Sequence, residues 1–575
     1  MVSNVSPQPH DPTSQGPGPG AGGAAPARRL TGVPSLWSAG AVVIAVIVIL
    51  PILSVLWIAL TPTSANIWPH LIQTTLPRYL KNTLILMGAV GLLTAMVGSG
   101  AAWIVTRYRF PGDRWLEWLL LLPLAIPAYV GAYALVDLLE YAGPVQTWLR
   151  GLMGWKTARD YWFPEIRSLG AAILVLSAAL YPYVYLLTRA AFREQSGGGE
   201  EVARSLGAGP FARFRRIGLP LARPAIAAGV AVVMMETIND FGTVDYFAVQ
   251  TLTTGIFSTW LDGNNASGAA QIACVILTMV ILLVLLEKGS RRRSKFYNLG
   301  SRHRPVTRVR LTGVAAWAAT ALCALPVLAG FVLPAGVILS HAVDHAGAWT
   351  DPALLSALLN TLAVGGIAAV LTVLAAVFLV YGVRLSGHRL PRLLMPVTTI
   401  GYAAPGAVLG VGILIPLAQL DHGLADFVEG TLSVDIGLIL TGSAFALVLA
   451  YCVRFFAIAQ GASDAAMGRV SPSLPMAARS LGRSHRNVLG AVYFPLIRGT
   501  LASALLLVFV DCVKELPATL LLRPFNYDTL ATRVHEQASL ERLGQAAPAA
   551  ILVIVVGLVA VGLLARSSRE NWGRD

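Results

Sequence analysis

Charge is scarce in this sequence. Only 13% of the 575 residues are Asp, Glu, Lys or Arg, about half the share found in soluble globular chains. That deficit excludes a soluble enzyme, a disordered protein and a nucleic-acid binder as the main reading, although the formal net charge is +14. Cysteine is equally thin. Cys274, Cys323, Cys452 and Cys512 all lie in apolar stretches without paired spacing, which excludes a zinc frame or a disulfide scaffold. Lysine is rarer still for so basic a chain. None of Lys81, Lys156, Lys288, Lys295 and Lys514 follows a glycine, so the phosphate loop G-x-x-x-x-G-K-[ST] is missing. No catalytic triad pattern stands in its place, so the chain is not expected to be an enzyme by itself.

What is present is apolar. Residues of the hydrophobic class make up 55% of the chain and the mean hydropathy is +0.67. A membrane helix needs about 20 mostly apolar residues, and twelve such runs are read: 36–60, 82–106, 116–139, 168–190, 222–240, 268–287, 312–340, 355–383, 393–420, 436–459, 497–517 and 546–565. The expected fold class is an all-α polytopic membrane protein. The stretch Met1 to Ala27 is rich in Pro, Gly, Ser and Ala and is expected to be a disordered tail, not a signal peptide, because the basic pair Arg28-Arg29 follows it. Placing both termini in the cytoplasm gives cytoplasmic segments 33 Lys and Arg against 9 outside. The positive-inside rule favours that orientation, and it assigns the basic residues to topology and not to nucleic acid.

The two halves of the chain repeat one another. Asn82-Thr83-Leu84 returns as Asn360-Thr361-Leu362, Pro127 as Pro405 and Thr251-Leu252 as Thr529-Leu530, all at an offset of 278; Gly207 returns as Gly482 at 275. Six spans per half is an even number, so the repeats run parallel and a pathway is expected at their interface. The expected division is a tail at 1–35, a first half at 36–290, a basic cytoplasmic linker at 291–311, a second half at 312–566 and a C-terminal tail at 567–575. The linker reads as a solvated segment facing lipid headgroups.

The most specific pattern sits in the longest cytoplasmic loop of each half. The first reads Glu201-Val202-Ala203, three residues, Gly207, nine residues, Ile217, one residue, Leu219-Pro220. The second reads Met476-Ala477-Ala478, three residues, Gly482, nine residues, Val492, one residue, Phe494-Pro495. A short helix is expected before each glycine, a turn with positive φ at the glycine, and a new span beginning at the proline. Such a projecting helix suits a groove in a soluble partner. The pattern resembles the EAA loop of binding-protein-dependent ABC importer permeases, EAA-x3-G-x9-I-x-L-P. Met476 departs from it by replacing the acidic residue, so a salt bridge made by Glu201 is not repeated.

Charge also appears inside the fifth and eleventh spans. At the loop offset of 275, Glu236 matches Asp511 and Asp240 matches Glu515, with Lys514 between the latter pair. The i, i+4 spacing places each pair on one helix face, and intramembrane charges face polar cavities or one another. Two readings follow, a cation path or structural ion pairs in which Lys514 neutralises Glu515 or Asp511. Weaker candidates are His341, Asp344 and His345 as a metal group, and Tyr181, Tyr183 and Tyr185 as iron ligands. Packing or surface roles are commoner for both sets.

The stretches Met235 to Phe257, Asp511 to Leu543, Pro123 to Gln146 and Trp162 to Leu187 resemble ferric-iron-type permeases of ABC importers. The resemblance covers nearly the whole chain apart from the tail and the linker. It implies a type I importer permease fold with two fused halves in a bacterial inner membrane. It also implies an ATPase dimer docking on the two loops and an extracytoplasmic solute-binding protein, with ATP used by the partner and no cofactor bound by this chain. Fused permeases for thiamine share the organisation. A proton-coupled secondary transporter also permits a 6+6 repeat, but it has no ATPase to receive the duplicated loops.

The missing phosphate loop yields a direct expectation. Purified alone, the chain should show no nucleotide turnover above a lipid blank; appreciable ATP hydrolysis in a preparation free of other subunits would contradict it.

Overall fold

Inside hydrocarbon no water can pair a backbone amide, so apolar runs must close their hydrogen bonds as helices. The computed structural model describes residues 36–61, 66–195, 202–292, 308–385, 389–399, 401, 404–434 and 437–570. Among them, eleven helices are long and apolar enough to span a membrane, and a pair bent by 92° makes a twelfth. The architecture is two six-span repeats, as the sequence implied.

Both third spans are broken at the repeated prolines. In the first half, Asp113–Ala125 gives way to Ala128–Met153 at the 92° bend, and Pro127 takes an extended ψ of 140°. In the second half, Arg389–Val397 is separated from Gly406–Leu432, and Pro405 has ψ 147°. Proline lacks the N–H that would continue the ladder and holds its neighbour out of the α region. The runs read as continuous spans at 116–139 and 393–420 are therefore each two pieces.

Other boundaries shift for physical reasons. The fifth and eleventh spans do not begin near Pro220 and Pro495. They run from Pro210 to Asn239 and from His485 to Lys514 as continuous helices. Each contains a five-residue π turn, Phe214–Gly218 and Leu489–Tyr493, where Leu219 and Phe494 donate to Phe214 and Leu489 five residues back. The wider turn accommodates the next residue, a proline with no N–H to give. The tenth span, read at 436–459, lies at Phe445–Gly468. Glycine and serine dominate 441–443, and Asp421 holds the backbone of Ile439, Leu440 and Thr441 in a loop. The described part of 291–311 is not simply solvated. Val309–Arg310 pairs in parallel with Tyr108–Arg109, and Arg308 lies 3.5 Å from Asp113 and 3.6 Å from Glu117.

The halves interlock through their first spans. Leu36–Leu60 packs on Pro352–Leu385 and Gly406–Leu432 of the second half, whereas Gly313–Val327 packs on Leu76–Arg107 of the first. Trp37 stacks on Phe378 at 4.7 Å and meets Tyr381 edge-on at 5.1 Å.

The repeated tripeptides explain themselves in three dimensions. Asn82 Nδ2 donates to the Gln250 carbonyl at 2.8 Å, and Thr83 Oγ1 accepts from the Leu252 N–H at 3.0 Å. Asn360 Nδ2 donates to the Asp528 carbonyl at 3.0 Å, and Thr361 Oγ1 accepts from Leu530 at 2.8 Å. In both halves the returning helix opens with a Thr–Thr capping box, Thr251 with Thr254 and Thr529 with Thr532. The second span of each half thus pins the short helix that returns after the fifth.

Each threonine is buried, so replacing it with valine leaves an amide N–H without an acceptor, a loss of about 1–3 kcal/mol. Thr83→Val and Thr361→Val should each lower the thermal midpoint of the detergent-solubilised protein. Additivity in the double variant is expected because the bonds lie in different halves; a double variant no less stable than either single one would reject equivalent roles.

Candidate functional site

Four intramembrane carboxylates converge on one cavity of about 160 Å³. Its walls include Glu236 and Asp240 from the end of the fifth span, and Asp511, Lys514 and Glu515 from the end of the eleventh. The broken third span of the first half completes it with Pro127, Ala128 and Tyr129, and the start of the helix after the eleventh span with Leu516 and Pro517. All five path residues named from sequence therefore line the same space. The face argument needs amendment for two of them. Asp240 and Glu515 stand one residue beyond the helices, where ψ turns extended at 130° and 118°.

From there the two carboxylates turn to the helices that follow. Asp240 accepts from the Thr243 N–H at 3.0 Å, the Thr243 hydroxyl at 2.9 Å and the Val244 N–H at 3.2 Å. Glu515 accepts from the Ala518 N–H at 3.1 Å. Each acidic group thereby satisfies the first free amides of the next short helix, Gly242–Tyr246 or Pro517–Leu522, and faces its positive end.

The ion pairs are specific. Lys514 Nζ lies 3.4 Å from Asp511 Oδ1, so it neutralises Asp511. Glu515 is taken by Arg454, whose Nε lies 2.9 Å from Oε2 with both side chains less than one-tenth exposed. Sequence reasoning missed Arg454 as a site residue. It lies inside the tenth span both as read from sequence, 436–459, and as observed, Phe445–Gly468, and no charged residue at the matching place in the first half marks it. An arginine amid apolar residues and beside Phe455-Phe456 was the available signal. Gly406 is required here: a Cβ would stand 2.4 Å from Glu515 Oε1 and 2.9 Å from Arg454 Nη1.

At the end away from the repeated loops, an aromatic layer closes over the cavity. Tyr133, one turn beyond Tyr129, is fully buried and its hydroxyl lies 2.8 Å from His535 Nδ1 of the second half. Tyr246 packs edge-on against Tyr133 at 4.4 Å, and Phe241 lies 5.7 Å from the His535 ring. Beyond this layer is a polar vestibule lined by Asp137, His341, His345, Asp351 and Arg533 among others. The Ala353 N–H, with Arg533, holds the Asp351 carboxyl below the usual carboxylate range.

The weaker candidates do not assemble. His341 Nε2 lies 2.9 Å from Asp137 and His345 Nδ1 3.1 Å from the His341 carbonyl, while Asp344 is exposed. Among the described residues no three His, Cys, Asp or Glu side chains gather as a metal cage. Tyr181 and Tyr185 are buried in packing, with Tyr185 donating to the Glu117 carbonyl at 2.8 Å. Only Tyr183 of the three borders the cavity.

The repeated loops adopt one geometry. Gly207 and Gly482 both have φ +80°. Ahead of them stand a helix at 202–205 and the helix Ser473–Ser480, which hold Ala203, Ala477 and Ala478. Ala208 N–H donates to the Ala203 carbonyl and Gly207 N–H to Arg204; Arg483 donates to Ala478 and Gly482 to Arg479. Both are Schellman caps, which require the left-handed residue that glycine supplies. Leu206 and Leu481, at matching positions, are 81% and 82% exposed. Glu201 lies outside the described residues. Leu219, Pro220, Phe494 and Pro495 sit just after the π turns, on helix and not at its start.

Comparison with known proteins agrees with this arrangement. Residues 94–293 match the family described as binding-protein-dependent transport system inner membrane component. The chain is 27% identical over 510 residues to the Fe(3+)-transport system permease protein FbpB 2 of Haemophilus influenzae, spanning 86% of this chain and 90% of that protein. It is 24% identical over 485 residues to the putative ferric transport system permease protein FbpB 1 of the same organism, 81% of this chain and 73% of that one. The sulfate transport system permease protein CysT of Escherichia coli is 29% identical over 247 residues, 42% of this chain and 86% of that one. With a repeated cap-and-loop geometry and two broken spans, this chain resembles the binding-protein-dependent inner-membrane permeases, whose family model it matches at residues 94–293 and whose ferric-type members it matches along most of its length.

Proposed function

We propose that this permease imports ferric iron, delivered by an extracytoplasmic binding protein and moved by alternating access. The observation that carries the reading is the cavity, where four carboxylates face two cationic side chains. That excess of negative charge attracts a multivalent cation and repels an oxyanion. The names of the relatives matched along most of the chain support the same cargo. Sulfate permeases are matched over less than half of it, and Arg454 with Lys514 gives that second reading its only donors at the cavity among the Lys and Arg side chains.

In this reading the loops around Gly207 and Gly482 face the cytoplasm, as do both termini, and each docks on one subunit of an ATPase dimer. Residues 36–290 and 312–566 act as the two moving halves. The exposed Leu206 and Leu481 give a soluble partner an apolar contact at each tip, which a stand-alone carrier has no use for.

The test is uptake by proteoliposomes holding the permease, its ATPase and its binding protein. ATP-dependent accumulation of radioactive iron, with none of sulfate or thiamine, is the expected result; accumulation of another solute without iron would reject the assignment. Coupling is tested separately. A Cβ at Gly207 or Gly482 meets nothing within 4 Å, so valine there adds no clash, only backbone strain of about 1–3 kcal/mol at positive φ. Gly207→Val and Gly482→Val should fold, yet lose ATPase binding or uncouple hydrolysis from uptake. Normal assembly and uptake in both would reject docking at these turns.

A further inference from the structure

The fourth span of the first half, Leu169–Glu194, leads in sequence to the loop around Gly207. Its last two turns carry Arg189 and Arg193, and one carboxylate meets both. Glu117 Oε1 lies 2.5 Å from a guanidinium nitrogen of each, and all three side chains are less than one-fifth exposed. Tyr185, one turn before Arg189, donates to the Glu117 carbonyl at 2.8 Å. Glu117 stands on Asp113–Leu119, the first piece of the broken third span. That piece continues through Leu122–Ala125 to the bend at Pro127, where Pro127, Ala128 and Tyr129 line the cavity.

The second half is fastened at the same place. Arg308 approaches Asp113 and Glu117, the Leu311 N–H donates to the Arg109 carbonyl at 2.9 Å, and the Thr320 hydroxyl of the seventh span donates to the Pro111 carbonyl at 2.9 Å. The stems of the loop are tied in turn. Gln195, just past the fourth span, accepts from Arg107 Nη2 at 2.9 Å and donates at 3.4 Å to the carbonyl of Gly218, in the π turn after the loop.

The other repeat makes this contact without charge. At the offset of 278 Met395 corresponds to Glu117, and at 275 Gln460 corresponds to Tyr185. Gln460 Nε2 donates to the Met395 carbonyl at 2.8 Å, and its Oε1 accepts from the Thr398 hydroxyl at 2.5 Å. A neutral contact therefore suffices to hold the fourth span against the third. Buried ion pairs are often no more stabilising than packed neutral side chains, so stability alone does not account for the charged version.

We infer that Glu117 is the joint that carries movement of the first docking loop to the cavity wall and to the first span of the second half. This rests on reading the loop around Gly207 as an ATPase contact. Arg189 and Arg193 move with the fourth span, and the carboxylate held by both obliges the stretch from Asp113 to Ala125 to follow. The far end of that stretch is the bend at Pro127. Charge-assisted hydrogen bonds are roughly twice as strong as neutral ones, so they resist a pull under which a neutral contact slips. Such bonds joined to rigid helices are the means by which distant sites are coupled. Glu117 is a positioning residue, because it acts on the cavity through Pro127 and does not border it.

The test reads the bend and not the cargo. Ala128→Cys, on the cavity wall, serves as reporter through maleimide labelling in excess of that at Cys274, Cys323, Cys452 and Cys512. The full reporter chain is reconstituted with its ATPase in nanodiscs and labelled with and without ATP and vanadate. Its labelling rate should change on trapping. Adding Glu117→Gln should cut that change about tenfold, within the range of coupling between sites, whereas Glu117→Asp, which keeps the charge, should restore it. A purely structural role would lower the yield of complex and leave the change in each assembled complex intact; that result overturns the inference. If Glu117→Gln does not assemble, Arg193→Gln decides, because Glu117 then keeps Arg189. A reduced change supports the joint and a full change overturns it. A reporter chain that binds no ATPase defeats the docking reading and the joint with it. One that binds ATPase with no change at the reporter cysteine defeats the joint alone.

Discussion

A helix that stops inside a membrane leaves free amides that lipid cannot satisfy, and this protein answers with a carboxylate at each stop. Asp240 and Glu515 end their spans and accept the amides of the helices that follow. The break at Pro127 is tolerable because it lines that polar space. Those two acidic ends meet at the cavity. Removing one partner of the buried Arg454–Glu515 pair would leave a lone charge, a loss of about 3–5 kcal/mol.

The duplicated scaffold and the unduplicated charges do different jobs. The bonds from Asn82 and Thr83, and from Asn360 and Thr361, hold each returning helix against its own second span with matching geometry. Glycine caps at Gly207 and Gly482 shape two tips of like geometry. At the centre the repeat diverges, with Arg454 and Lys514 on the second-half side.

Much of this was legible in the sequence because it is local or periodic. Apolar run length gave the spans, and the spacing around Gly207 and Gly482 gave the turn and its φ. The pairing of Glu236 with Asp511 and Asp240 with Glu515 brought the right residues to one place. What the sequence hid was long-range or irregular. Hydropathy windows ran straight through Pro127 and Pro405, and a proline placed by pattern at a helix start sits instead behind a π turn. Arg454 escaped because its partner, Glu515, is 61 residues away, and no periodicity links them.

The central claim is that the acidic cavity between the halves is the route of the cargo. It is tested most directly by iron uptake in the double variant Glu236→Gln, Asp240→Asn, reconstituted with ATPase and binding protein and checked for assembly. The account predicts an assembled complex whose ATP-dependent uptake falls to the level of liposomes without permease. Full uptake by the assembled double variant would contradict it.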